Sequence, residues 1–215
     1  MTKGRFIALE GGEGAGKSTQ ARLLADVLRA RGIDVVVTRE PGGTPGAEAI
    51  RKLLLEGAPG DEGAGWNPRA EALLFAAARS DHVEQLIRPA IARGAWVVCD
   101  RFLDSSRAYQ GGGGGLSDAD ITALHAIGSE GLLPDLTLLI EVSPEIAAAR
   151  LALRDTDGTD RIGGRDTAYH ARVAQAFSAF AEREPGRFAR IDGNGTPQET
   201  QARVQAALAP LLGTA

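Results

Sequence analysis

Residues 11–18 read Gly11-Gly12-Glu13-Gly14-Ala15-Gly16-Lys17-Ser18, the G-x-x-x-x-G-K-[ST] spacing of a phosphate-binding loop. Glycines without a Cβ let consecutive backbone N–H groups turn inward around an anion. At this spacing Lys17 reaches the β- and γ-phosphates of a nucleoside triphosphate, and the Ser18 hydroxyl is suited to ligate Mg²⁺. Thr19 completes the expected phosphate-binding stretch. Upstream, Arg5-Phe6-Ile7-Ala8-Leu9 reads as a strand; downstream, Gln20 to Leu28 reads as a helix with apolar residues at 23, 24, 27 and 28. A strand, a glycine loop and a helix in that order aim the helix's positive end at the same anion. The context points to a nucleoside triphosphate site rather than a glycine-rich turn that binds nothing.

Working outward, further apolar runs recur between helical stretches. Asp34–Thr38, Trp96–Asp100, Leu136–Val142 and Phe188–Ile191 read as strands covered on both faces. Helices are expected near 17–31, 45–56, 68–92, 118–130, 144–155, 166–183 and 197–212, with Asp118 and Thr196 as N-caps. Pro144 and Pro197 fall in first turns, where proline is tolerated. The alternation predicts an α/β fold with a five-stranded parallel sheet between helical layers, in one domain over 1–215. Glu10, Glu40 and Asp100 fall at strand carboxyl ends, where parallel sheets place ligands. Three segments read as irregular: Gly57–Gly65 as a surface connection, the glycine run Gly111–Gly115 as a loop that cannot be an element interior, and 155–167 between two helices.

The composition is that of an ordinary globule, with 43% apolar and 24% charged residues. A net charge of −4 argues against a nucleic-acid coat. The lone cysteine, Cys99, permits no intrachain disulfide and reads as a small buried hydrophobe. Phe6–Leu9 is too short for a signal-peptide core and no stretch approaches a membrane span, so a cytoplasmic location is expected.

A phosphate loop alone leaves a GTPase, a partition ATPase, a transporter subunit or a kinase open. The guanine-reading N-K-x-D and the transporter signature Leu-Ser-Gly-Gly-Gln are both absent. Arg39 and Glu40 open Arg-Glu-Pro-Gly-Gly after the second strand, Arg51 follows one helix later, and Arg101 adjoins Asp100. An arginine fork suits phosphate, although a surface arginine taken alone is usually only solvated. Their joint placement at the ligand edge points to a second phosphorylated substrate.

The run from Val98 to Gln110, Val-Cys-Asp-Arg-Phe-Leu-Asp-Ser-Ser-Arg-Ala-Tyr-Gln, resembles the thymidylate kinase signature. The phosphate loop, Arg39-Glu40-Pro41-Gly42-Gly43 and Leu74-Phe75-Ala76-Ala77-Ala78-Arg79 resemble the other blocks of that family, in its order and spacing. The resemblance implies the nucleoside monophosphate kinase type of P-loop fold and transfer of the ATP γ-phosphoryl to dTMP, giving dTDP. It implies that Phe75 stacks on thymine, that Arg79, Ser105 and Gln110 face the base, and that Tyr109 lies against the deoxyribose. Glu13 would read the 3′-hydroxyl side, while Arg39, Arg51 and Arg101 clamp the monophosphate. Ser18 would ligate Mg²⁺ directly and Asp100 would hold it through a water. Without the resemblance, Phe75 reads as a core residue.

The attacking oxygen belongs to an ionised phosphate, so no general base is required, and His82, His125 and His170 read as surface or structural residues. The phosphate loop carries no arginine; Arg150, Arg154, Arg161 and Arg165 lie in the stretch 150–165, the bacterial lid-arginine pattern. Arg154, with Arg161 as second candidate, is expected to reach the phosphates when a lid about 150–167 closes. Many relatives place a basic residue in the glycine stretch after Tyr-Gln-Gly, which here is unbroken. The family is typically homodimeric, and helices around 70–92 and 118–133 could supply the interface. Another nucleotide or deoxynucleoside kinase, or a non-catalytic ATP-binding switch, remains open at this point.

Overall fold

A computed structural model describes residues 3–57, 65–154 and 161–212, the Arg154 side chain excepted. The expected connection at 57–65 and the first half of 155–167 lie largely outside the described residues. Five strands, β1 (Arg5–Glu10), β2 (Val35–Arg39), β3 (Trp96–Asp100), β4 (Leu136–Glu141) and β5 (Phe188–Asp192), form one parallel sheet in the order β2-β3-β1-β4-β5. Leu9 and Arg39 both pair with Asp100, so the carboxyl ends of the three strands meet at one edge. The chain leaves β1 for β2 on one side and later crosses to β4 on the other. The crevice where that order reverses is where open α/β sheets bind ligands.

Alternation along β1 builds the layers. Ile7 and Leu9 point to one face, with Leu24 and Leu28 of α1 (Lys17–Ala30) and Val204 and Leu208 of α9 (Pro197–Leu212). Phe6 and Ala8 point to the other, with Val97, Val83 and Ile87. On this second side α2 (Pro45–Glu56) packs on α3 (Pro68–His82), which passes through a π-helical turn at Val83–Ile87 into α4 (Arg88–Ala92). The remaining helices are α5 (Leu103–Ser106), α6 (Asp118–Ser129), α7 (Pro144–Arg154) and α8 (Thr167–Arg183). Among the described residues no helix is long and apolar enough to cross a membrane.

Two local expectations are corrected. Ser117, not Asp118, caps α6, its Oγ accepting from the Asp120 N–H at 3.1 Å. Asp118 instead takes both forks of Arg107, at 2.8 and 2.9 Å. Thr196 does cap α9, in a reciprocal box with Glu199 at 3.2 and 2.7 Å. The second correction concerns the glycine run. α5 continues without a break as a π-helical segment, Arg107–Gly113, so Gly111, Gly112 and Gly113 are element interior. α8 lies against it so closely that a Cβ on Gly112 would sit 2.6 Å from the Ala176 Cβ. Intrinsic propensity opposes glycine in a helix, but here the missing side chains are what let two helices touch.

Candidate active site

The phosphate loop leaves β1 at Gly11, whose φ of 138° and contact with the Ile140 carbonyl exclude any side chain. Lys17, at the start of α1, turns back so that Nζ donates to the Gly12 carbonyl at 2.7 Å. Burial, followed by the Arg101 charge, pulls the Lys17 ammonium down to about 8. The Ser18 hydroxyl donates to Asp100 Oδ2, and Asp100 Oδ1 is buried with no partner among the described residues. A hydroxyl and an unsatisfied carboxylate oxygen thus share one spot at the end of β3. Among the described residues no group of three or more His, Cys, Asp or Glu side chains could cage a metal ion.

Arg101 adopts a left-handed φ of 70° that folds it under the loop. Its guanidinium donates to Glu13 at 2.5 Å, Ser105 Oγ at 3.1 Å, the Gly11 carbonyl at 3.2 Å and the Tyr109 hydroxyl at 3.2 Å. Burial alone opposes its charge, but the Tyr109, Glu13 and Asp100 side chains around it hold its pKa above the usual arginine range. α5 is fastened beneath this group by Glu10, fully buried at the end of β1. Glu10 accepts from the Phe102 N–H at 2.8 Å, the Ser105 N–H at 3.0 Å and Ser105 Oγ at 2.5 Å. Burial and the neighbouring Asp104 push its carboxyl up to about 7 in spite of those donors.

At the other end, Arg79 is buried and donates to Glu40 Oε2 at 2.7 Å and Ser106 Oγ at 2.7 Å. Glu40 also faces His82 Nδ1 at 3.2 Å, and His82 Nε2 lies 2.7 Å from Thr38 Oγ1. Glu40 and His82 therefore brace the arginine. Arg39 pairs with Glu48 at 3.1 Å, and Arg51 donates to the Pro41 carbonyl at 2.9 Å. Phe75 is half-buried on the cleft and belongs to none of the three hydrophobic clusters, so the core reading of it is overturned.

One cleft of about 640 Å³ joins the two ends. Glu13 to Thr19 line it on the loop side; Arg39, Glu40, Arg51, Phe75 and Arg79 line it on the other. Asp100, Arg101, Ser105, Tyr109 and Gln110 line it as well, whereas Gly11 and Gly12 stand behind, shaping the loop. Among the lid arginines with described side chains, Arg150 lines the cleft, a residue named from the sequence but not chosen there. Arg150 bridges the Gly14 and Ala15 carbonyls, at 3.4 and 3.3 Å, to those of Gly193 and Gly195, at 3.0 and 3.1 Å. Its partners are main-chain atoms of two distant loops, which no side-chain pattern announces. Pro197 and Thr200 also line the cleft and were not singled out for the site from the sequence. Arg161 lies with its guanidinium beside Gly65 and outside the cleft lining, and the Arg154 side chain is outside the described residues.

This sheet order, with a phosphate loop facing a second, arginine-lined pocket, defines a P-loop protein of the nucleoside monophosphate kinase type. The thymidylate kinase family profile matches residues 9–204. A thymidylate kinase of Rhizorhabdus wittichii is 62% identical over 209 residues, covering 97% of this chain and 99% of that relative. One from Caulobacter vibrioides is 48% identical over 99% of this chain and its own full length. The crystal structure of thymidylate kinase from Ehrlichia chaffeensis superposes with a TM-score of 0.77 at 30% identity, covering 96% of this chain and 99% of that one. The chain belongs to the thymidylate kinase family.

Proposed function

We propose that this protein transfers the γ-phosphoryl group of ATP to the 5′-phosphate of dTMP, giving dTDP and ADP. The observation that carries the reading is the single cleft shared by the phosphate loop and the pocket of Phe75, Arg79 and Gln110. ATP seats its polyphosphate on residues 13–19, with Lys17 on the β- and γ-phosphates. Phe75 stacks on thymine, Arg79, Ser105 and Gln110 read its edge, Tyr109 abuts the sugar and Glu13 lies on its 3′-hydroxyl side. An aromatic face supplies contact area and the polar groups supply discrimination.

The acceptor oxygen is already ionised, so no residue need remove a proton. The obstacle is holding two polyanions in line, and positioned cations overcome it. Arg39, Arg51 and Arg101 gather the acceptor phosphate, and Lys17 draws charge off the donor. Arg150 ties the phosphate loop to the β5–α9 loop, while Arg154 or Arg161 completes the enclosure when the segment about 150–167 closes and excludes water. Asp100 Oδ1, buried without a partner among the described residues, and Ser18 Oγ fit Mg²⁺, which Ser18 would hold directly and Asp100 through a water. An ion held there would supply positive charge to offset that of the donor phosphates.

The same reading pairs two copies of the chain. α3 and α6 pack together and leave Leu73 and Ile127 exposed, at 56% and 83%. Release of ADP from Mg-ATP, with dTMP, other monophosphates and thymidine offered separately, tests the activity. Stimulation by dTMP is expected; stimulation by thymidine instead would make the enzyme a nucleoside kinase, and none by any acceptor would leave a nucleotide-binding switch.

A further inference from the structure

Gln110 lines the cleft while only 1% exposed, and its two terminal atoms have unequal surroundings. Nε2 donates to Glu71 Oε1 at 2.8 Å, whereas Oε1 is buried with no partner among the described residues. Chemistry fixes which amide atom is which, because an ionised carboxylate only accepts and so draws the NH₂ toward itself. Two features fix the Glu71 carboxylate in place. Its second oxygen is paired with the Arg165 guanidinium, and it sits in the first turn of α3, where the helix favours an anion. Arg165 is held in turn, donating to the Tyr169 hydroxyl at 2.6 Å and stacking 4.6 Å over its ring. The Tyr169 hydroxyl donates to the Tyr109 carbonyl at 2.8 Å, closing a ring of contacts around the π-helical segment.

We propose that Glu71 and Arg165 are specificity-determining positioning residues: they lock the Gln110 carboxamide so that only its oxygen is left to face the bound base. The inference rests on the reading above that Gln110 faces the base. An unmet buried acceptor welcomes a ring N–H and repels a lone pair. Thymine carries a hydrogen at N3; cytosine offers a lone pair there. The lock therefore selects an imide-bearing pyrimidine, and it does so from residues that do not touch the nucleotide. It also links acceptor recognition to the segment 161–165.

Steady-state kinetics with dTMP and dCMP test the lock in the wild-type enzyme and in Gln110→Ala, Glu71→Gln and Arg165→Met. With Glu71→Gln the carboxamide is free to turn over. Selectivity for dTMP over dCMP is then expected to fall by roughly tenfold or more, mainly through KM for dTMP, with KM for ATP unchanged. Arg165→Met is expected to move the same ratio in the same direction, Arg165→Lys to restore it in part, and Glu71→Gln to add nothing in a Gln110→Ala background. If Gln110→Ala lowers selectivity while Glu71→Gln and Arg165→Met leave it intact, the lock is overturned and the base contact stands. If Gln110→Ala itself leaves selectivity intact, Gln110 does not read the base and both fall.

Discussion

Lys17 meets its anion from a partly discharged state. Its ordinary pKa of 10.5 is drawn down to about 8, first by burial and then by Arg101, so near that pH the free protein holds both forms. A bound triphosphate supplies the opposite charge and pulls the proton back on. The folded value lies below the unfolded one, so the buried ammonium weighs on the free fold below about 8, and that burden lifts as pH rises toward 10.5. Binding ATP at about pH 8 is thus expected to take up a fraction of a proton, and affinity to decline above that pH. Calorimetry in buffers of different ionisation enthalpy reads the uptake directly; a binding heat independent of buffer would remove Lys17 from the linkage.

At the scale of elements, the π-helical segment shows where a sequence is transparent and where it is not. The strands were legible because β1, β3 and β4 are nearly continuous apolar runs, which only a sheet covered on both faces accommodates. The phosphate loop and the arginines at the strand ends were legible because their spacing is local. Gly112 and Gly113 were misread because their need for glycine comes from α8, far along the chain, and not from the local backbone. Glu71 was opaque, Glu10 was placed at the ligand edge although it fastens α5, and Arg150 was named without its role, since each gains that role from partners that only the fold brings near, Arg150 reaching back across 136 positions. Gly111 and Gly112 should differ sharply in their tolerance. Gly112→Ala forces a Cβ to 2.6 Å from Ala176 and should cost roughly 1–3 kcal/mol, lowering Tm by a few degrees. Gly111→Ala meets nothing closer than 3.5 Å and its φ is not positive, so it should be neutral or stabilise by about 0.5–1 kcal/mol. Thermal melts of the two variants side by side decide it, and equal losses would mean that contact with α8 is not what requires glycine.

Across the whole molecule, buried charges tie the layers together around the cleft. Asp104, almost fully buried, takes both forks of Arg187 at 2.6 and 2.9 Å and also Arg107 at 2.9 Å. Arg107 reaches on to Asp118 and Glu184, so the helix that carries Tyr109 and Gln110 is anchored to α6 and to the approach to β5. A scaffold held this firmly can offer an exposed apolar face to a second copy without distorting the cleft. Sedimentation of the wild-type protein is expected at twice the chain mass, and Ile127→Glu, which puts a charge on that apolar face, should shift it toward the monomer. A wild-type protein that sediments as a monomer at micromolar concentration would rule out pairing through α3 and α6.

The lone thiol, Cys99, sits inside β3 with no solvent exposure, donating to the Arg101 carbonyl at 3.0 Å. Burial, with Glu40 and Asp100 close by, holds it protonated far above the usual thiol range. A protonated, enclosed sulfur gives peroxide and alkylating agents no thiolate to attack, although it lies one residue from Asp100. The folded protein therefore presents no accessible thiol for modification, Cys99 being its only cysteine.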